Sequence, residues 1–292
     1  MQIQAAIRPA ILSIILLISG SVSAQAVTVT DYLGRQVSLS APAGRIVSLM
    51  PSHTETILAL GAGHLLVGLD EASPEPPETS LPRLGNGFNA SLELIVSLEP
   101  DLVMVDSFSG VHLQLEELGI TAFAGTPETL EGVLGFTAIA GSLTGHGDEA
   151  EELSAGMQSA IERTAARAQG LARPRVYLEL DPTPFSAGPG SYTDDLLQVA
   201  GGSNVVPAEL GAWPMLSPEF VVASEPDFVV LLDAPFGETE ESFRARPGFA
   251  AIDATVIEVD AETGDLLSRP GPGLEAALDW LFTVLHGDAA GD

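Results

Sequence analysis

A stretch of thirteen residues in this chain recurs 126 positions later, and that repeat limits the fold more than any other feature. Aligned without a gap, Ser91, Glu93, Val96, Glu99, Pro100, Asp101 and Val103 fall on Ser217, Glu219, Val222, Glu225, Pro226, Asp227 and Val229. Each copy reads as a short helix stopped by proline, which disfavours helical geometry in the residue before it, followed at once by a buried strand. The likeness extends further: Arg45-Ile-Val resembles Arg175-Val-Tyr, and Thr54-Glu-Thr-Ile-Leu resembles Thr193-Asp-Asp-Leu-Leu. Capping and loop rules alone can produce a helix-Pro-Asp-strand joint. Two similar α/β lobes account for the whole set of matches at once.

The first lobe opens on a Thr/Val-alternating segment, 27–39, of strand or hairpin character. A strand over 45–50 follows, then Pro51 and Ser52-His-Thr-Glu55, whose capping-box spacing predicts a helix over 54–60 closed by Gly61. Strands over 65–69 and 101–105 flank a helix over 91–99. Between the lobes, Leu153, Met157, Ile161 and Ala165 recur at helical spacing within 147–171, and Pro174 ends the run. This predicts one long backbone helix of up to ~35 Å at 1.5 Å per residue, holding the lobes at a near-constant separation with little hinge closure. The expected organisation is a signal peptide over 1–26, an N-terminal lobe over 27–145, the connecting helix over 146–173, a C-terminal lobe over 174–286 and a tail over 287–292. The fold class is α/β, with central parallel sheets and a ligand cleft between the lobes.

Composition narrows the chemistry. With 40 acidic against 11 basic residues the formal charge is -29, which excludes a nucleic-acid partner for want of a basic surface. No Cys is present, removing disulfides, thiolate metal sites, Fe–S clusters and cysteine nucleophiles. Every basic side chain is Arg, so Schiff-base and P-loop lysines are absent too. Arg8, the apolar run from Ala10 to Ile18 and small residues up to Ala26 read as a cleaved leader, too short to span a bilayer. Without a Cys after the cleavage site, the mature chain is expected to be periplasmic and soluble rather than a lipoprotein. His64, His112, His146 and His286 are scattered without metal-site spacing, and neither metal nor cofactor is expected.

Two α/β lobes present the carboxyl ends of their strands to a common crevice, where ligands bind. The loops that follow strands are therefore the ones to watch: 51–54, 70–84, 106–110, 181–192, 233–237 and 260–272. Ser52 and His53 stand in the first of these, with His53 at a helix start facing the presumed cleft.

At these residues the chain resembles a known family. Arg45-Ile-Val-Ser-Leu-Met-Pro-Ser-His-Thr-Glu-Thr, Leu92-Glu-Leu-Ile-Val-Ser-Leu-Glu-Pro-Asp-Leu-Val, Trp213-Pro-Met-Leu-Ser-Pro-Glu219 and Leu267-Ser-Arg-Pro-Gly-Pro272 are similar to the helical-backbone (class III) periplasmic binding proteins of ABC importers. That family takes up cobalamin, ferric siderophores and haem. The likeness runs over roughly 27–286 and is greatest to the cobalamin-binding branch, through Trp-Pro-x-x-Ser-x-Glu and the Asp265-x-x-x-Arg269 spacing. It implies a non-catalytic capture protein for a corrinoid, with a ferric siderophore or haem as the alternative and an α/β enzyme as a remote one. It also implies that Phe185 and Trp213 flank the ligand while Asp265 and Arg269 meet its amide side chains. Where the branch carries further aromatics this chain has Ala72, Gly87 and Asp106, with Phe88 and Phe108 close by in sequence.

The resemblance further implies that Glu93 and Glu219 dock into arginine pockets on the two copies of a permease dimer. Two like charges at matched points suit a two-fold partner, and an acidic first turn also complements the helix dipole. The binding protein itself is expected to be a monomer. Gly188-Pro-Gly190 is a near miss to a dinucleotide fingerprint and lacks its third glycine.

Overall fold

The computed structural model describes residues 25–77 and 79–287. The expected 1–26 leader and 287–292 tail lie, apart from their innermost residues, outside the described residues. The chain begins with an antiparallel hairpin of β1 (Val27–Thr30) and β2 (Gln36–Leu39). Strands and helices then alternate: β3 (Ile46–Ser48), α1 (Pro51–Ala59), β4 (Leu66–Leu69), α2 (Leu92–Ser97), β5 (Leu102–Val105), α3 (Val111–Glu117), β6 (Ala122–Ala124) and α4 (Leu130–Thr144). After α5 (Gly147–Ala168) come β7 (Arg175–Asp181), β8 (Phe185–Ser186), α6 (Tyr192–Val199), β9 (Ser203–Asn204), α7 (Pro218–Ala223), β10 (Phe228–Leu231), α8 (Glu240–Ala245), β11 (Thr255–Glu258), α9 (Ala261–Ser268) and α10 (Leu274–His286).

The repeat in the sequence is a repeat in space. The first lobe holds a parallel sheet in the order β4-β3-β5-β6, and in the second lobe β9, β7, β10 and β11 follow the same order, with β8 added antiparallel beside β7. Ile46 pairs with Leu102 and Val176 with Phe228, so β3 matches β7 and β5 matches β10 residue for residue. At the end of α2 and of α7, Glu99 (φ 47°) and Glu225 (φ 44°) are the only non-glycine residues at positive φ among the described residues. Arg45 donates to the carbonyls of Leu98 and Glu99, and Arg175 to that of Ser224, satisfying orphan carbonyls at the helix ends. Asp101 accepts the backbone N–H of Gly44 at 2.8 Å and Asp227 that of Arg175 at 2.7 Å. The recurring Arg, Glu-Pro and Asp thus build one and the same helix-to-strand joint twice.

The expected long backbone helix is α5, and α4 runs back along it as an antiparallel partner. Leu130 and Val133 of α4 and Met157 and Ala160 of α5 lie in the C-terminal core. Phe136, Ala140, Leu143 and Ala150 lie in the N-terminal core. The helices touch closely at Gly141, where an added Cβ would come 2.5 Å from that of Ala150. The start of α1 differs from expectation. Its first residue is Pro51, whose fixed φ suits the first helical position, and Met50 caps without a side-chain bond. Ser52 therefore lies inside the first turn and the capping box does not form. Of the two serines preceding α2 and α7, Ser217 caps by accepting from the N–H of Phe220 while Ser91 makes no such bond. Among the described residues no helix is long and apolar enough to cross a membrane.

Candidate ligand cleft

The ends of the strands open onto a cleft of about 440 Å³ between the lobes. Met50, Pro51 and Ser52 enter it after β3, Phe108 after β5, and Thr126, Pro127 and Glu128 after β6. The second lobe supplies Tyr192 and Thr193 at the start of α6, Trp213 from the loop after β9, and Ser268, Arg269 and Pro270 after α9. A wall rich in proline and aromatic rings offers flat apolar area with few hydrogen-bonding groups, the usual make-up of a small-molecule site.

Buried polar networks hold this wall in place. The Thr54 hydroxyl donates to Ser48 Oγ at 2.8 Å and lies 2.8 Å from Ser73 Oγ, which in turn donates to the Asp70 carboxylate. All four side chains are buried, and a fully satisfied network of this kind pins the Met50-Pro51 turn. On the other lobe, Thr193 Oγ1 donates to the Leu267 carbonyl at 2.9 Å, tying α6 to the end of α9. Asp195 of α6 accepts the backbone N–H of Leu130 at 2.9 Å, satisfying a first-turn donor of α4 and tying the start of that helix to the C-terminal lobe.

Phe108 is 70% exposed and owes its position to Asp106. That buried carboxylate accepts the N–H groups of Phe108 at 2.8 Å and Ser109 at 2.6 Å, an Asx turn. Gly87 makes room for it, since a Cβ there would lie 1.9 Å from Asp106 Oδ2. Gly87 and Asp106, two of the three positions noted with Ala72 in the sequence, are thus a matched pair that displays Phe108. Phe88, 80% exposed, adds to the rim with its ring centroid 5.6 Å from that of Phe108.

Arg269 forms the polar end of the cleft. It lies 3.1 Å from Glu55 of the opposite lobe and 2.8 Å from Asp265. Burial raises the pKa of Glu55; hydrogen bonding and attraction to Arg269 oppose that shift, and repulsion from Asp265 and Asp70 adds to it. Asp265 does not line the cleft. It stands behind Arg269 on a second cavity of about 410 Å³ that Glu55 also borders.

Of the residues singled out in the sequence, Ser52, Phe108, Trp213 and Arg269 meet in the cleft, Phe88 joins at its rim through Phe108, and Asp265 stands behind Arg269. His53 and Phe185 do not. His53 is fully buried with its ring centroid 4.6 Å from that of Phe136, on the inward face of α1 one turn before the buried Ile57. Burial pushes its pKa down to about 3, leaving a neutral core imidazole rather than a cleft group. Phe185 alternates in β8 with Ser186, whose buried hydroxyl donates to the Leu178 carbonyl; the ring takes the other face, beside Met215 and off the cleft wall. Glu93 and Glu219 are exposed in the first turns of α2 and α7, away from the cleft wall.

Residues 126–128 and the partner role of Glu55 were not anticipated. The three-residue strand β6, Ala-Phe-Ala, carries no readable alternation, so the loop after it was not recognised as a strand-end loop. Loops 70–84 and 233–237, which were, stay out of the wall. Among the described residues no three His, Asp or Glu side chains are grouped to hold a metal ion.

The periplasmic binding protein family model matches residues 46–256, which take in strands of both lobes. The uncharacterized ABC transporter substrate-binding lipoprotein YvrC of Bacillus subtilis is 27% identical over 277 residues, 90% of this chain and 86% of that protein. A cobalamin-binding protein of Halobacterium salinarum is 32% identical over 218 residues, 70% of this chain but 58% of its own length. Among solved structures, the periplasmic heme-binding protein RhuT of Roseiflexus, in its apo form, superposes with a TM-score of 0.66 at 27% identity, covering 85% of this chain and 99% of that one. A duplicated α/β architecture, a cleft at the strand ends and a family match across both lobes lead to one conclusion: the chain belongs to the periplasmic binding protein family, whose members bind substrates for transport and are not enzymes.

Proposed function

We propose that this protein captures a flat macrocycle of the corrinoid class between its lobes and passes it to an ABC importer. The observation that carries the reading is the cleft wall itself: the exposed side chains of Phe108 and Trp213 line it beside the buried Tyr192, and Arg269, the one cation of that wall among the described residues, is already engaged by two carboxylates. Aromatic faces suit a broad apolar ring system, and Ser52, Thr193 and Arg269 supply a few groups to orient amide side chains. The name of the halobacterial relative supports the same class. Haem or a ferric siderophore is the second reading, favoured by the likeness to the heme-binding protein of Roseiflexus. Such ligands are often anionic and call for unpaired Arg or Lys.

Delivery is assigned to Glu93 and Glu219. Both are exposed and both sit in the first turn of their helix, at matching points of the repeat, which suits a two-fold partner. The binding protein acts as a monomer in this scheme. The test is calorimetry with cyanocobalamin, cobinamide, haem and several ferric siderophores, together with transport by the double variant Glu93→Arg/Glu219→Arg. Corrinoids should bind tightest, and the variant should lose transport while keeping ligand affinity. Preference for an anionic iron chelate would overturn the ligand class, and loss of ligand binding by the variant would overturn the docking role.

A further inference from the structure

Among the described residues Arg269 is the only basic side chain in the cleft wall. Its Nη1 donates to Glu55 Oε1 at 3.1 Å, and its Nη2 lies 2.8 Å from Asp265 Oδ1. The two acids differ in origin. Asp265 is four residues back on α9, in the same lobe as Arg269, so that pair is local. Glu55 projects from α1 in the other lobe, 214 residues away in sequence. With side chains only about a quarter exposed (24% for Arg269, 27% for Glu55), this cross-lobe pair is shielded enough for its charges to matter. Behind it, Glu55, Glu262 and Asp265 surround the second cavity, which shares Arg269 with the cleft. A guanidinium that turned toward an incoming anion would leave these acids facing one another without a cation.

We propose that Glu55 is a specificity-determining residue: by engaging the cleft guanidinium from the opposite lobe, it denies a partner to carboxylate- or phosphate-bearing ligands and restricts the site to ligands without net negative charge. Neutral amides still reach the remaining N–H groups of Arg269, which has five donors and uses them in a fixed fork. The proposal rests on the cleft being the binding site. It goes further by assigning the discrimination to a residue outside the cleft wall.

The experiment titrates the full chain with two flat tetrapyrroles, cyanocobalamin, which has no net charge, and coproporphyrin III, which carries four carboxylates. Glu55→Gln removes the charge at nearly constant shape, and Glu55→Ala replaces it should the first variant not fold. Glu55→Asp keeps the charge. The expected result is that charge removal tightens coproporphyrin about tenfold, with cyanocobalamin within about threefold of the parent, while Glu55→Asp moves neither by more than about threefold. The coproporphyrin gain should shrink as salt is raised, which a packing effect would not do. Unchanged coproporphyrin affinity in a folded, cyanocobalamin-binding Glu55→Gln protein overturns this proposal and leaves the cleft reading standing. A parent protein that binds neither probe overturns both.

Discussion

The two lobes share a strand order, a register and a helix-to-strand joint, yet they bury different groups at equivalent points. Leu49, just after β3, and Glu179, within β7, stand at equivalent points, since Ile46 and Val176 pair alike with β5 and β10. Leu49 packs among Val47, Val103 and Val105 in an apolar cluster. Glu179 is also fully buried but brings its own partners: Arg246 grips both its oxygens at 2.6 and 2.7 Å, and Tyr177 donates to it at 3.0 Å. Glu238 lies on the same guanidinium, and Asp233 is 4% exposed close by. The N-terminal lobe keeps its buried carboxylates, Asp31, Asp70 and Asp106, elsewhere, and buries His53, neutral, against Phe136 and Phe123. A common topology therefore constrains layers and connections, whereas the charge stored inside each layer is free to diverge.

The comparison breaks most visibly at Arg246. Its replacement by Met leaves Glu179 buried without a counter-charge, a change that typically costs about 3 kcal/mol or more. The equivalent region of the first lobe has no such dependence. Urea unfolding should show the loss, and hydrogen exchange should place it in β7 and β10 while β3 and β5 keep their protection.

A smaller effect separates the lobes by pH. Burial, with repulsion from Glu179 and Glu238 and against attraction to Arg246, pushes Asp233 up to about 7 from 3.8. The folded chain holds a proton that the unfolded chain releases, so C-lobe stability falls as pH rises from about 4 to about 7. His53 has the opposite sign. Its folded pKa of about 3 lies below the usual 6.5, so N-lobe stability is full above about 6.5 and falls as pH drops toward 3. Asp233→Asn should gain about 2 to 4 kcal/mol at pH 8, and His53→Leu should recover about 2 kcal/mol at pH 5. Urea melts across this pH range, read with lobe-resolved exchange, check both; slopes of the same sign in the two lobes would contradict the assignment.

The smallest effect sharpens the likeness instead. Glu99 and Glu225 hold left-handed backbone at equivalent joints, where a side chain is strained and glycine is not. Glu99→Gly and Glu225→Gly should each stabilise by about 0.5 to 1 kcal/mol, and by similar amounts. Thermal melts that give unequal or opposite shifts would show that the joints differ energetically despite their common geometry.

Much of this was legible in the chain. The hairpin, the two helix-Pro-Asp-strand joints, the long α5 and the strands β3, β5 and β10 all follow from patterns contained within a dozen residues, as did the loops that carry Ser52, Phe108 and Arg269. What escaped were matters of direction. His53 stands in the right loop but on the inward side of its helix, and Phe185 in the right loop but on the far face of its strand. The pairing of α4 with α5 was hidden because an apolar helix shows that it is buried, not which neighbours bury it.

The amino-acid order by itself determined the duplication, the element boundaries to within a few residues, and a chemistry without thiols or lysines, because propensity, capping and composition act locally. The tertiary structure alone decided that Glu55 meets Arg269 across 214 residues, that Asp195 caps α4 from 65 residues away, and that Phe108 is displayed by Asp106 against Gly87. Each of those depends on which face of an element turns toward which neighbour. That choice is made by burying apolar surface over the whole molecule at once, so no local window of sequence contains it.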